Sequence, residues 1–249
     1  MRKFAAVQHT PGRLMMAVNT RKMHPRRVDG VVFDMDGVIF DSENLNLCCW
    51  HEIAARYGIR DIDTPCRAVI GRNSAEGRRI FKEFYGPDFP YEERRDEVLT
   101  MFREKTENGE LAVKKGAREL LSFLRGMGKK IALASSTDRD RVLWQLDHAG
   151  LLGYFDTVIG GDMVKKSKPD PDIYLTACRE VGFLPEHAYA VEDSYNGVRS
   201  AAASGAHTIM VPDLLPPDSE MAGLAEVIVD DLFEVRDYLR RIFAESCPE

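Results

Sequence analysis

"VVFDMDGVIFDSE", residues 31–43, sets three apolar residues ahead of four acidic ones. Val31, Val32 and Phe33 read as a buried strand, and Asp34, Asp36, Asp41 and Glu43 follow almost at once. A carboxylate taken out of water without a partner is costly, so acidic residues where a strand runs out require a reason. The surrounding chain supplies one.

Four further runs have strand length: Ile131–Ala134, Thr157–Ile159, Tyr189–Val191 and Thr208–Val211. Most lead into a Gly, Ser or Asp cluster and then a helical pattern. "GARELLSFLRGMG" (116–128) places Leu120, Leu121 and Leu124 at helical spacing and ends on a glycine. "DRDRVLWQLDHAG" (138–150) opens on Asp138, suited to an N-cap, and closes on Gly150. "DPDIYLTACREVG" (170–182) and "SYNGVRSAAASG" (194–205) repeat the plan. Strands alternating with helices imply an α/β class with a Rossmann-like parallel sheet, whose ligands bind beyond the carboxyl ends of the strands.

Residues 45–110 break the alternation with helical patterns and no strand: "LNLCCWHEIAARYG", "SAEGRRIFKEFYG" and "YEERRDEVLTMFREKTENG". This stretch is too long for a crossover and too regular for a loop, and it reads as an inserted α-helical cap domain. The core is then 28–44 with 111–249. An insertion at the C-terminal end of the first strand sits over the active-site face, where a lid belongs.

Bulk properties bound the function. The 249 residues are 44% hydrophobic and 30% charged, the composition of a soluble globular protein. No apolar run approaches the roughly 18 residues of a membrane span, so no membrane partner is expected. A net charge of −6 argues against a nucleic-acid partner, because phosphate neutralisation needs clustered Lys and Arg. The five cysteines (Cys48, Cys49, Cys66, Cys178, Cys247) have no metal or redox spacing and read as reduced thiols of a cytoplasmic protein. Residues 1–27 carry seven Lys and Arg and no acid. They read as a basic, disordered extension, with a transit peptide or a misplaced start as alternatives. Oligomeric state is not readable.

Chemistry-bearing residues recur at the ends of these runs: Asp34 and Asp36, Ser135, Lys168 in "KKSKPDPDIY", and Glu192 with Asp193 in "VEDSYNG". Singly, each is an ordinary turn, cap or loop residue; in a parallel sheet their positions converge. Carboxylates in such numbers repel unless a cation sits among them, and all-oxygen ligation suits Mg²⁺. Lys168 and the Ser135 hydroxyl can hold an anion that the metal also touches. The inventory fits phosphoryl transfer, with a carboxylate attacking and a metal and Lys neutralising the transferring oxygens.

With these residues in place, the sequence resembles the haloacid dehalogenase superfamily from Val28 to about Leu239. "FDMDGVIFDSE" is similar to its first motif, "LASS" (133–136) to its second, "SKPDPDIY" to its third and "VEDSYNGVRSAAASGA" to its fourth. The helical insertion resembles the branch holding β-phosphoglucomutase and many small-metabolite phosphatases. The resemblance implies that Asp34 attacks phosphorus to form an aspartyl-phosphate. Asp36 would protonate the leaving oxygen and then activate water. It implies further that Ser135, Ser136 and Lys168 bind the phosphoryl group. Mg²⁺ would be held by Asp34, the Asp36 carbonyl and Asp193, with Glu192 nearby. "IGRNSAEG" (70–77) is similar to the family's cap loop, which makes Arg72 and Asn73 substrate-binding candidates, Arg72 toward a second anionic group.

Within the superfamily, Asp36 favours phosphate chemistry over dehalogenation, since halide leaves without a proton. The expected function is a Mg²⁺-dependent phosphatase acting on a small phosphorylated metabolite, a sugar or polyol phosphate. The alternative is a phosphosugar mutase, from whose pattern this chain departs at Asn46, Ala75 and Thr137–Asp138–Arg139. A catalytically idle binding protein is a third reading, against which the complete acidic set argues.

Overall fold

The structure is a computed structural model that describes residues 27–245 apart from 71 and 73. The extension up to residue 26, Gly71, Asn73 and Cys247 lie outside the described residues. Six strands, β1 (Gly30–Phe33), β2 (Lys130–Ala134), β3 (Thr157–Ile159), β4 (Ala188–Glu192), β5 (His207–Met210) and β6 (Val227–Ile228), form one sheet in the order β3-β2-β1-β4-β5-β6. Every pairing is parallel. Phe33 stands level with Leu133 on one side and Val191 on the other, so β1, β2 and β4 end side by side. The chain winds outward from β1 in both directions, and the crevice between β1 and β4 is the switch point where such sheets bind ligands.

Strand side chains alternate between two apolar layers. Val31, Phe33, Ile131 and Leu133 face α5 (Ala117–Gly126), α6 (Arg139–His148) and α10 (Leu232–Glu245). Val32, Ala132, Ala134 and Ala190 face α7 (Asp172–Val181) and α8 (Tyr195–Ser204). Small residues on that second face let α7 and α8 lie close to the sheet. Each fully buried Leu, Ile or Phe adds roughly 1.5–3 kcal/mol.

Between β1 and β2 the chain forms α1 (Ser42–Tyr57), α2 (Asp63–Ala68), α3 (Ser74–Tyr85) and α4 (Tyr91–Glu107). These helices pack around their own aromatic centre. Trp50 and Phe81 have ring centroids 4.7 Å apart and Phe81 and Tyr91 4.9 Å, with Ile53, Val98 and Phe102 buried beside them. The two passages between the helices and the sheet lie side by side. Asp41 N–H donates to the Ala112 carbonyl at 2.9 Å, and Lys114 N–H to that of Ile39 at 2.8 Å. The remaining helix, α9 (Ser219–Leu224), caps itself through Asp218, which accepts from Met221 N–H at 2.8 Å.

One expected cap is made differently. Asp138 precedes α6 but makes no capping bond. Instead Asp162, from the loop after β3, accepts from Arg139 N–H at 2.8 Å. Ser194 does cap α8, accepting from Gly197 N–H at 3.1 Å.

Candidate active site

Asp34 directly follows β1, and its N–H prolongs the sheet by donating to the Val191 carbonyl at 3.0 Å. This fixes the backbone of a residue that is 6% exposed. Lys168 donates to Asp34 Oδ1 at 2.6 Å, to Glu192 Oε1 at 2.6 Å and to the Ala134 carbonyl at 3.1 Å, which uses all three ammonium hydrogens. Lys168 does not stand at a strand end as the sequence suggested. It reaches in from the loop beyond β3, so proximity along the sheet edge is not what brings it to Asp34.

Glu192 is fully buried and saturated. Besides Lys168 it accepts from Tyr174 O–H at 2.5 Å, from Asp193 N–H at 3.2 Å and from Ser194 O–H at 3.4 Å. A Cβ added at Gly197 would lie 1.9 Å from Glu192 Oε2, so the first turn of α8 closes on this carboxylate only because residue 197 is glycine. Glu192 is therefore arranged to hold Lys168. Asp193, beside it, has far fewer partners and faces the cavity.

Asp36 is held by hydroxyls rather than by Lys168. It accepts from Ser42 O–H at 2.6 Å, Thr137 O–H at 2.9 Å and Ser135 O–H at 3.3 Å. The Ser135 hydroxyl also accepts from Thr137 N–H at 3.0 Å. Ser135 is wholly buried and tied to Asp36, while Ser136 is the neighbour that lines the cavity. The holders Ser42 and Thr137 were not singled out by sequence, although Ser42 lies inside the opening motif and Thr137 directly follows "LASS". Gly37 turns the chain at φ +78°, and a Cβ there would meet Asp193 Oδ2 at 2.2 Å. The turn thus needs glycine for its backbone and for its space.

Above these residues lies a cavity of about 220 Å³, floored by Asp34, Asp36, Lys168 and Asp193 and roofed by α1, α3 and α4. Arg72 lines it, exposed, with its guanidinium 3.6 Å from Glu76. The candidate set Asp34, Asp36, Ser136, Lys168, Asp193 and Arg72 thus converges on one space.

The field inside is strongly negative. Burial pushes the Asp34 carboxyl up to about 8, the charges of Glu192 and Asp36 add to this, and Lys168 pulls the other way. Asp193 is raised well above the carboxylate range by burial and by Glu192 and Asp34. Glu43 rises to about 8 through burial and the charges of Asp36 and Asp213. Burial works against the Lys168 ammonium, yet Asp34 and Glu192 hold it above its ordinary value.

Asp34, Glu192 and Asp193 offer carboxylate oxygens within 4.8 Å of one another, and the buried Oδ2 of nearby Asp213 has no partner. This buried, all-oxygen acidic group fits a divalent cation. Groups raised on folding bind more protons in the folded state, so stability should fall as pH climbs from the ordinary carboxylate range towards 8. In EDTA the melting temperature is therefore expected to be lower near pH 8 than near about pH 5.5, with added Mg²⁺ restoring most at the higher pH. A melting temperature indifferent to Mg²⁺ at pH 8 would remove the cation from this cluster.

Residues 31–211 match the family model of the haloacid dehalogenase-like hydrolases. The chain is 33% identical over 182 residues to a phosphorylated carbohydrates phosphatase of Thermotoga maritima, covering 73% of this chain and 84% of that protein. It is 30% identical over 194 residues to the fructose-1-phosphate phosphatase YqaB of Escherichia coli, covering 74% and 97%. Among solved structures, CbbY from Rhodobacter sphaeroides in complex with phosphate superposes with a TM-score of 0.69 at 27% identity, over 84% of this chain and 96% of that one. A parallel sheet with Asp34 and Asp36 at its switch point, matched along this length, leaves one family. The chain belongs to the haloacid dehalogenase-like hydrolases.

Proposed function

We propose that the protein is a Mg²⁺-dependent phosphatase of small phosphorylated sugars or polyols, acting through an aspartyl-phosphate on Asp34. The observation that carries this reading is Asp34 itself, which is buried, bonded by Lys168 on Oδ1 at 2.6 Å, and on the floor of a roofed cavity with Asp36 two residues on. Its size suits a small metabolite. Relatives named as phosphatases of phosphorylated carbohydrates and of fructose 1-phosphate point the same way.

In this reading the free oxygen of Asp34 attacks phosphorus as the ester P–O bond breaks, and Asp36 gives its proton to the departing alkoxide. Asp36 then takes a proton from the water that attacks the aspartyl-phosphate, which releases inorganic phosphate and regenerates both carboxyl groups. Ser136 binds a phosphoryl oxygen, Lys168 binds another by giving up one of its three present bonds, and Ser135 holds Asp36 through their shared hydrogen bond. Asp34, Asp193 and the Asp36 carbonyl would hold Mg²⁺, which when bound offsets the charge of the carboxylates and of the transferring oxygens. Glu192 serves by holding Lys168. Helices α1–α4 act as the cap, opening at the paired passages near Asp41 and Ala112. A cytoplasmic setting, read from the scattered cysteines, belongs to the same proposal. So does a substrate contact by Arg72 and Asn73.

The mutase alternative is weakened at one point. Asp138 lines the cavity where the mutase pattern has Lys, Arg139 does not line it, and the arginine of α6 that does, Arg141, lies outside that pattern. A positional isomer of a sugar phosphate appearing by ³¹P NMR without inorganic phosphate would revive it.

The direct test is release of inorganic phosphate from a panel of sugar and polyol phosphates with Mg²⁺ or with EDTA. Release with Mg²⁺ alone is expected; no release from any phosphate ester would overturn the reading. Asp36→Asn refines the test. Its loss is expected to reach about 10²-fold or more with sugar phosphates and to shrink with p-nitrophenyl phosphate, whose leaving group departs without a proton. Equal losses with both would give Asp36 a structural role.

A further inference from the structure

We propose that the cavity holds a second anion site, built by Arg95 of α4 and Arg141 of α6, which selects substrates carrying a phosphate or carboxylate besides the phosphoryl group that reacts. The proposal rests on the phosphatase reading for what happens at Asp34, and it names the class of molecule that reading leaves open.

Both guanidinium groups line the cavity above Asp34, Asp36 and Lys168, and both residues are only partly exposed. Among the described residues neither makes a hydrogen bond or has a carboxylate within 4.0 Å. Their neighbours on the cap behave differently. Arg94 pairs with Glu97 and lies over the Tyr57 ring, Arg103 pairs with Glu107 at 3.0 Å, and Arg79 with Glu83 at 2.6 Å. These three arginines are neutralised by local carboxylates, while Arg95 and Arg141, which line the cavity, are not.

Arg141 is held without being neutralised. Its guanidinium stands 4.7 Å from the centre of the Phe102 ring, which offers a cation–π contact and no negative charge. Burial works against its charged form, and Arg95 adds like-charge repulsion, with Asp36 and Asp138 the nearest charges of opposite sign. Asp36 and Asp138 act on Arg141 at a distance, but no carboxylate is paired with either guanidinium, so their donors stay unused, and an anion between them would accept charge-assisted, bidentate hydrogen bonds. Arg72 is a weaker candidate for this role, being exposed and already near Glu76.

The two arginines also come from opposite sides of the opening. Arg95 belongs to a cap helix and Arg141 to a helix packed on the sheet. An anion bound to both spans the cap and the sheet domain, so the same contact that recognises the substrate favours the closed arrangement.

The test uses Asp34→Asn protein, in which binding is separated from turnover, and measures dissociation constants by calorimetry in Mg²⁺. Fructose 1,6-bisphosphate and 6-phosphogluconate are the doubly anionic probes, and fructose 6-phosphate is the reference. At least one doubly anionic probe is expected to bind tighter by about tenfold to a hundredfold, and which one does so tells phosphate from carboxylate. Adding Arg141→Gln or Arg95→Gln should reduce that ratio to near one, and Arg141→Lys should restore part of it. Equal affinity for all three probes, or a ratio unchanged in both arginine variants, overturns the site. Circular dichroism checks folding, and either arginine alone suffices if the other variant fails to fold. The two proposals fail separately. A clear preference in a protein whose parent hydrolyses no phosphate ester would sink the phosphatase reading and leave the anion site. Brisk hydrolysis of fructose 6-phosphate without any preference would do the reverse.

Discussion

Replacing Asp34 by Asn is expected to lower turnover of every phosphate ester by at least about 10³-fold while leaving the fold intact. The amide is nearly isosteric, so the Lys168 hydrogen bond to position 34 survives in weaker form and the backbone contact to Val191 is untouched. What disappears is the nucleophile, because an amide oxygen attacks phosphorus far less readily than a carboxylate. The melting temperature should stay within a few degrees of wild type. It should rise in EDTA near pH 8, since one of the mutually repelling carboxylates has been made neutral. Retention of more than a tenth of the activity would take Asp34 out of the nucleophile's place and with it the aspartyl-phosphate.

Much of the arrangement around Asp34 was legible before any coordinates. Five of the six strands and the helices α5–α8 follow from apolar runs broken by Gly, Ser and Asp, because each of those elements carries its own periodic signal. The elements that escaped are the two-residue strand β6 and the six-residue helices α2 and α9, too short for a period to register, and the fourteen-residue α10, whose stretch the sequence reading does not single out. Individual roles were harder. Lys168 is marked by its motif, yet it stands in the loop between β3 and α7, whose approach to Asp34 no local pattern describes. Ser135 is a phosphate-ligand candidate by its motif, and the structure places its hydroxyl against Asp36 and the Thr137 N–H, a contact that no local pattern describes. Arg95 and Arg141 had no signal, because each sits in a helix where an arginine reads as a solvated charge. Only the folding of α4 over α6 turns both toward one cavity. What a sequence conceals here is which charges lack a partner, since that depends on contacts between distant segments.

Lys168 carries the heaviest structural responsibility in the site, and Lys168→Met is expected to damage folding and catalysis together. The residue is 3% exposed and its three donors are all used. Its removal leaves Asp34 and the saturated Glu192 as buried carboxylates with no cation between them. Breaking a buried ion pair from one side typically destabilises by about 3–5 kcal/mol, because the surviving charge stays desolvated. Methionine fills much of the volume, so little of the loss should come from a cavity. The loss should depend on pH with a definite sign. Without Lys168 the Asp34 carboxyl, already raised by burial, loses the charge that pulls it down, the folded state holds more protons than the unfolded one, and stability falls as pH rises. Urea unfolding in EDTA should therefore separate variant from wild type more at about pH 8 than at about pH 5.5. Catalysis should fall by at least about 10²-fold at either pH, since in the proposed mechanism the same ammonium offsets the phosphoryl charge and orients Asp34. Lys168→Arg is not expected to rescue the site. A planar guanidinium cannot aim three donors at Asp34, Glu192 and the Ala134 carbonyl from one point, as the ammonium does. Coincident urea midpoints for Lys168→Met and wild type near pH 8 would show that the two carboxylates do not depend on this lysine.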